Sequence, residues 1–164
     1  MSDDPLVGTQ FGEYEIIEVL GKGGMGVVYR ARHTTLDRNV ALKTLTSQLS
    51  QNPDFVQRFL QEARAAARLN HPNIIQIYDF GQVNMIYYLA MEFVEGYSLG
   101  YYLKNSGKFE EQDCIGLIRQ ACAALGCAHA AGVIHRDVKP DNLLLNQNCE
   151  IKLGDLGLAK LNMD

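Results

Sequence analysis

The sequence predicts an α+β fold in which a strand-rich first part is followed by helices, and three patterns predict it. Extended, β-branched runs recur between Tyr14 and Phe93, interrupted by one amphipathic helix over residues 53–69. Two further helices are expected over residues 98–104 and 110–131. Near the end, Leu143-Leu144-Leu145 and Ile151-Lys152-Leu153 flank Asn146-Gln147-Asn148, the mark of a short hairpin. The 164 residues suffice for one domain with its own core, or for one and a half lobes of something larger.

Composition excludes several classes. With 15 Lys and Arg against 19 Asp and Glu, and no dense basic stripe, a nucleic-acid role is not expected. The four cysteines lack C-x-x-C spacing, so free, mostly buried thiols in a reducing compartment are expected, which points to the cytoplasm. The acidic Met1-Ser2-Asp3-Asp4-Pro5 start is no signal peptide, and the longest apolar run, Met85 to Met91, is far too short to span a bilayer. No membrane segment is therefore expected.

Residues 1–12 read as a flexible arm. Tyr14, Ile16, Ile17, Val19 and Leu20 then lead as a strand into Gly21-Lys22-Gly23-Gly24-Met25-Gly26, and Val27 to Ala31 resumes the extended pattern. A G-x-G-x-x-G string alone is weak, because glycines also mark ordinary tight turns. The residues after the string discriminate between candidates: a dinucleotide fold would enter a helix here, and a P-loop would end in Gly-Lys-Ser/Thr. After a polar turn at His33–Arg38, Val40-Ala41-Leu42-Lys43 alternates, with Ala41 and Lys43 on one face. A small residue beside a lysine leaves room for a flat base and supplies a cation for phosphate, although a lysine in a strand is more often a solvated edge residue.

In the helix over 53–69, Phe55, Phe59, Ala66 and Leu69 form a stripe that also carries Glu62. A carboxylate on an apolar face is costly without a partner, and Arg58 is the local candidate. His71-Pro72-Asn73 is a turn. Two antiparallel strands, Ile74–Phe80 and Met85–Phe93, are expected around Gly81-Gln82-Val83-Asn84. Along the helix over 110–131, Ile115, Ile118, Cys122, Leu125 and His129 share a stripe. Cys122 and His129 lack a second pair at zinc spacing, so both are expected in the core. Gly132 sits where a helix-ending glycine belongs.

Chemistry concentrates in His135 to Gly157, where Asp137, Lys139, Asn142 and Asp155 fall in a short span. A hairpin between Asn142 and Asp155 folds its ends together, bringing Asp155 beside Asn142 and Asp137. Two oxygen acceptors suited to Mg²⁺, one carboxylate and one ammonium then converge, the set phosphoryl transfer needs.

The string H-R-D-x-K-P-x-N followed by D-x-G resembles the protein kinases, with Lys139 two residues after Asp137 as in the Ser/Thr branch. The strand, glycine loop and strand order matches that family's phosphate-covering flap. The phrasing G-K-G-G-M-G-V-V-Y-R-A most resembles bacterial, eukaryotic-like Ser/Thr kinases, and the likeness runs from about Tyr14 to Lys160. Leu156 stands where the family most often has Phe, a substitution that fills the same apolar slot.

The resemblance implies a protein-kinase-like fold: a flexible arm over 1–12, a small β-rich lobe with one key helix over 13–92, a hinge over 93–96, and the first part of a mainly helical large lobe over 97–164. It implies ATP and Mg²⁺ as cofactors and a Ser or Thr of a protein as substrate. Asp137 is then the catalytic base, Lys139 touches the γ-phosphate, Asn142 and Asp155 hold the metal, and Lys43 pairs with Glu62. ATP contacts are implied for Leu20, Gly21, Lys22, Gly23, Gly24, Met25 and Gly26 in the loop and for Val28, Ala41 and Lys43 in the strands. Met91 as gatekeeper, the backbone of Glu92 and Val94, and Leu144 are implied around the adenine. The family's activation segment and later helices would come after Asp164. An ATP-binding or interaction module without transfer activity is therefore the alternative expectation for residues 1–164.

Overall fold

Two antiparallel sheets organise the chain, and they belong to different parts of it. The computed structural model describes residues 4–154, so Asp155 and Leu156 lie outside the described residues. The chain divides into two compact units, one made of Met1–Ala63 and Ile77–Phe93, the other of Arg64–Gln76 and Val94–Asp164.

The first unit is built on a six-stranded sheet. Its strands are β1 (Gln10–Phe11), β2 (Tyr14–Gly23), β3 (Gly26–His33), β4 (Arg38–Leu45), β5 (Ile77–Val83) and β6 (Ile86–Glu92), in the order β1-β2-β3-β4-β6-β5. Alternation dictates which side chains meet: Phe11, Tyr14, Ile16, Tyr29, Ala31, Val40, Leu42 and Ala90 gather into one buried cluster. The rings of Phe11 and Tyr14 stand edge-on to Tyr88, with centroids 5.8 and 5.6 Å apart.

The arm expected over residues 1–12 differs from Asp4 onward. Gln10 and Phe11 pair with Glu15 and Tyr14, the Gly8 N–H donates to the Ile16 carbonyl, and Leu6 and Val7 pack against the cluster. An apolar Phe11, 2% exposed, draws this stretch onto the sheet.

The β5–β6 turn also moves. Sequence places it at 81–84, whereas the strands reverse at Asn84-Met85, both with positive φ (48° and 67°). Such a two-residue turn matches the strand twist. Gly81 stays inside β5 because the Tyr88 ring lies over it: a Cβ there would meet the Tyr88 hydroxyl at 2.8 Å.

Two helices complete this part of the chain order. The first, α1 (Ser47–Ser50), is capped by the Thr46 hydroxyl accepting from the Leu49 N–H. The second, α2 (Pro53–Ala67), starts after Asn52, whose side-chain oxygen accepts from the Phe55 N–H. Phe55, Phe59 and Ala66 are buried as the stripe predicts, and Leu69 is buried just past the helix end.

The second unit holds the three-stranded sheet of β7 (Gly96–Ser98), β8 (Leu143–Asn146) and β9 (Ile151–Leu153), in that order. It also holds α3 (Leu99–Ser106), capped by the Ser98 hydroxyl, and α4 (Glu111–Ala130). Gly132, at φ 78°, ends α4 as expected: the Val133 N–H reaches the Ala128 carbonyl and the Gly132 N–H that of His129. That paired closure is the Schellman motif. Residues 64–76, expected in the small lobe, belong to this unit because Asn73 and its neighbours bond to β9. The Asn73 carbonyl accepts from Leu153 N–H, and the Ile75 N–H donates to the Leu153 carbonyl.

The buried face of α4 is not the one expected. Ala121, Ala124 and Ala128 are buried, whereas Ile115, Ile118, Cys122 and His129 are exposed and Leu125 is half-buried. Small side chains let the helix approach β9 closely, and Gln120 beside them bonds Ile151 N–H, the Cys149 carbonyl and Asn73. The bulky residues are thereby turned outward. The thiols behave likewise: all four are free, with Cys122 and Cys149 exposed and Cys114 and Cys127 half-buried, against the expected burial. Among the described residues no helix is long and apolar enough to cross a membrane.

The tip of the β2–β3 hairpin gives a test of glycine requirements. A Cβ on Gly26 would lie 1.7 Å from the Thr44 carbonyl oxygen, while one on Gly24 would meet nothing within 4 Å. Gly26→Ala is expected to destabilise the fold by at least about 1–3 kcal/mol, the cost of a strained backbone position. Gly24→Ala should stay within about 0.5 kcal/mol. Denaturant unfolding of both variants checks this; equal losses would contradict it.

Candidate active site

In the second unit the candidate residues Asp137, Lys139 and Asn142 lie beside the β8–β9 hairpin, which holds the Asn142 end in place. Leu143 pairs with Leu153, Leu144 with Lys152 and Leu145 with Ile151. Asn146 closes the turn, its side-chain oxygen accepting from the Asn148 and Glu150 N–H groups. The far ends consequently meet: the Gly154 N–H donates to the Asn142 carbonyl at 3.0 Å. Gly154, the residue before Asp155, thus lies beside Asn142, as the hairpin reading requires; Asp155 itself is outside the described residues.

Three described candidates come together around Asp137. Asn142, on the 3₁₀ turn Pro140–Asn142, is 8% exposed and donates through Nδ2 to both the Asp137 carbonyl (2.8 Å) and Asp137 Oδ2 (3.2 Å). The Lys139 ammonium lies 3.4 Å from the same Oδ2. The Asp137 carboxylate is half-buried and held from two sides, an arrangement that fixes one oxygen and leaves the other available. With Nδ2 turned toward Asp137, Oδ1 is the atom of the Asn142 amide that can meet a cation. An amide oxygen and a carboxylate are oxygen donors of the kind Mg²⁺ takes, so the residue types fit that metal.

Sequence reasoning missed His135. It is 1% exposed, its Nδ1 accepts from the Asp137 N–H at 3.2 Å, and its Nε2 lies 2.6 Å from the Gly154 carbonyl. Since Nδ1 accepts, Nε2 carries the hydrogen and donates to Gly154. One buried ring thus connects the loop that carries Asp137 to Gly154, the residue before Asp155. Arg136, between them, sits at φ 68°, a left-handed conformation that lets neighbouring side chains turn opposite ways. Asn73, by sequence only part of a turn, has a similar structural part. Its Nδ2 donates to the Ile151 carbonyl and to Gln120 Oε1, tying the hairpin to α4. The H-P-N tripeptide was the available signal, but its partners lie far along the chain.

In the first unit, register alone places the nucleotide candidates. Val28 opposes Lys43, and Ala41 opposes both Arg30 and Met91. Directly opposed residues project to one side, so Val28, Ala41, Lys43 and Met91 share a sheet face. The glycine string forms the end of the β2–β3 hairpin, with Gly21 opposite Val28 and Gly23 opposite Gly26. A Cβ at Gly21, Gly23 or Gly24 would touch nothing, so only Gly26 of this string is demanded by packing among the described residues. Leu20 and Lys22 are exposed, whereas Met25 is buried at 6% and its carbonyl accepts from the Thr46 N–H. Lys43 is half-buried on β4, and Glu62 half-buried on α2. Val94 is buried and Leu144 half-buried in the second unit.

Comparison with known proteins identifies the family. The protein kinase domain family matches residues 14–163. The chain is 43% identical over 165 residues to the serine/threonine-protein kinase PknD of Mycobacterium tuberculosis, covering all of this chain and 25% of that protein. It is 40% identical over 155 residues to PrkC of Bacillus subtilis, covering 94% of this chain and 24% of that protein. The chain therefore spans about a quarter of the length of these curated relatives. Among solved structures, the PknI kinase domain of M. tuberculosis superposes with a TM-score of 0.81 at 31% identity, covering 93% of this chain and 62% of that one. By sequence match, strand order and catalytic-loop motif together, the chain belongs to the protein kinase domain family, and its relatives are bacterial Ser/Thr kinases.

Proposed function

We propose that the chain carries the ATP-dependent phosphoryl-transfer centre of a protein serine/threonine kinase that works in the cytoplasm. The observation that carries this reading is the Asp137 carboxylate, held by Asn142 Nδ2 at 3.2 Å and Lys139 Nζ at 3.4 Å, with its backbone tied to buried His135. A carboxylate so restrained can accept the proton of a substrate hydroxyl as it attacks. The hydroxyl oxygen forms a bond to the γ-phosphorus, the bond from that phosphorus to the bridging oxygen breaks, and ADP leaves with that electron pair. Lys139 places its ammonium against the transferred group, where charge accumulates.

The nucleotide reading rests on the shared face of Val28, Ala41, Lys43 and Met91 and on glycines with open space above them. Ala41 leaves room for the base, and Lys43, positioned by Glu62, offers its ammonium to the phosphates. Asn142 Oδ1 and the Asp155 carboxylate would hold Mg²⁺, which neutralises phosphate charge when bound. The substrate is a Ser or Thr hydroxyl of a protein, consistent with Lys139 standing two residues after Asp137. Four free thiols, two of them exposed, support a reducing compartment.

Three outcomes test this. Mg·ATP at about a hundredfold above its Kd should stabilise the chain by about 2.7 kcal/mol, read as a rise in Tm, and Asp155→Asn should abolish the Mg²⁺-dependent part. An unchanged shift would remove Asp155 as a ligand. In the complete kinase, Asp137→Asn should leave ATP affinity near the parent value while turnover falls by about 10²–10⁴; retained turnover would exclude it as the base. Lys43→Ala and Glu62→Ala should couple by about 0.5–3 kcal/mol in a double-mutant cycle on turnover, and additive losses would show that they do not act together.

A further inference from the structure

The glycine-rich hairpin is gripped from behind by the N-terminal arm. Asp4, with its side chain 7% exposed, accepts from the Tyr29 hydroxyl at 2.9 Å and from the Leu6 N–H at 3.1 Å, and meets the Lys22 ammonium at 3.1 Å. Lys22 lies within the glycine string itself, opposite Val27. Val27 and Tyr29 alternate with Val28, which opposes Lys43. The clasp therefore sits on the sheet face opposite the one that presents Val28, Ala41 and Lys43. The only cation of the Gly21–Gly26 string is drawn to that back face, leaving the nucleotide face of the hairpin lined by glycine backbone.

We propose that Asp4 is a positioning residue for the nucleotide: through Lys22 and Tyr29 it holds the glycine-rich hairpin from its back face and so sets how closely the hairpin backbone approaches the phosphates. The proposal rests on the kinase reading above. Its physical basis is geometric. The hairpin's two-residue tip, Gly24-Met25, is anchored on the strand side by the Met25 carbonyl accepting from the Thr46 N–H. Gly21, Gly23 and Gly24 have no side chain to pack, so polar attachment on the Lys22 side takes the place that packing holds elsewhere. Burial alone would raise the Asp4 carboxyl; the Leu6 N–H, Lys22 and Tyr29 outweigh it and hold the group below its ordinary value, so it stays charged at neutral pH.

The test uses the full chain and Mg·ATP as the probe. Asp4→Asn is expected to weaken Mg·ATP binding about two- to fivefold, the range of a single partly exposed ion pair. Without nucleotide, it should speed hydrogen exchange at the amides of residues 21–28 while leaving those of α4 unchanged. Tyr29→Phe, which keeps the ring in the core and removes the 2.9 Å bond to Asp4 along with the hydroxyl's contact to Thr44, and Lys22→Met should act in the same direction. In the complete kinase the loss should appear in KM for ATP with kcat unaltered. Faster exchange with unchanged affinity, or unchanged exchange, would overturn the proposal. If the parent chain binds no Mg·ATP at all, the kinase reading fails and the proposal with it; exchange data would then show the clasp to be a structural tie alone.

Discussion

One buried imidazole holds the second unit of this protein in register. His135 meets the Asp137 N–H with one nitrogen and the Gly154 carbonyl with the other, so a single rigid ring sets the spacing between the catalytic loop and the strand leading to Asp155. Asn142 adds a second tie, bonding Asp137 through its side chain and Gly154 through its carbonyl. A buried polar group that loses its partner costs about 1–3 kcal/mol, so neither end can drift without penalty. Orientation of the carboxylate derives from this frame, since charge and hydrogen bonding at Asp137 are only useful where its backbone is fixed.

The first unit works by a different constraint, strand register. An antiparallel pairing slipped by one residue would send every side chain to the other face. The β3–β4–β6 pairing keeps Val28, Ala41, Lys43 and Met91 together, and the buried cluster around Tyr29, Val40 and Leu42 on the opposite side enforces it. The apolar core on one side thereby specifies which side chains surround Lys43 on the other.

How much of this was legible depends on how local each signal is. The β8–β9 hairpin, the α2 stripe, the Gly132 helix end and the Val-Ala-Leu-Lys alternation are short-range patterns, and each appears where the sequence places it. Features set by distant partners were hidden. Asn73 and Gln120 are bonded to one another across 47 positions, and nothing near either residue announces that. The burial of Ala121, Ala124 and Ala128 could not be told from periodicity, because the larger Ile115 and Ile118 dominate any hydrophobic stripe. The arm looks loose in sequence because its content is polar and glycine-containing; its attachment lies in distant partners, Phe11 against the Tyr88 ring, the Gly8 N–H on the Ile16 carbonyl and Asp4 on Tyr29 and Lys22.

The alanine face of α4 has a thermal consequence. Methyl groups remove little apolar area from water, and heat capacity of unfolding scales with that area, at about 0.45 cal/mol/K per Å². The seam between α4 and β9 relies on Gln120, which joins the Ile151 N–H, the Cys149 carbonyl and Asn73. Its strength therefore varies less with temperature than that of the aromatic cluster in the first unit. On cooling, where hydrophobic burial weakens, the Phe11–Tyr14–Tyr88 packing loosens before the Gln120 seam does.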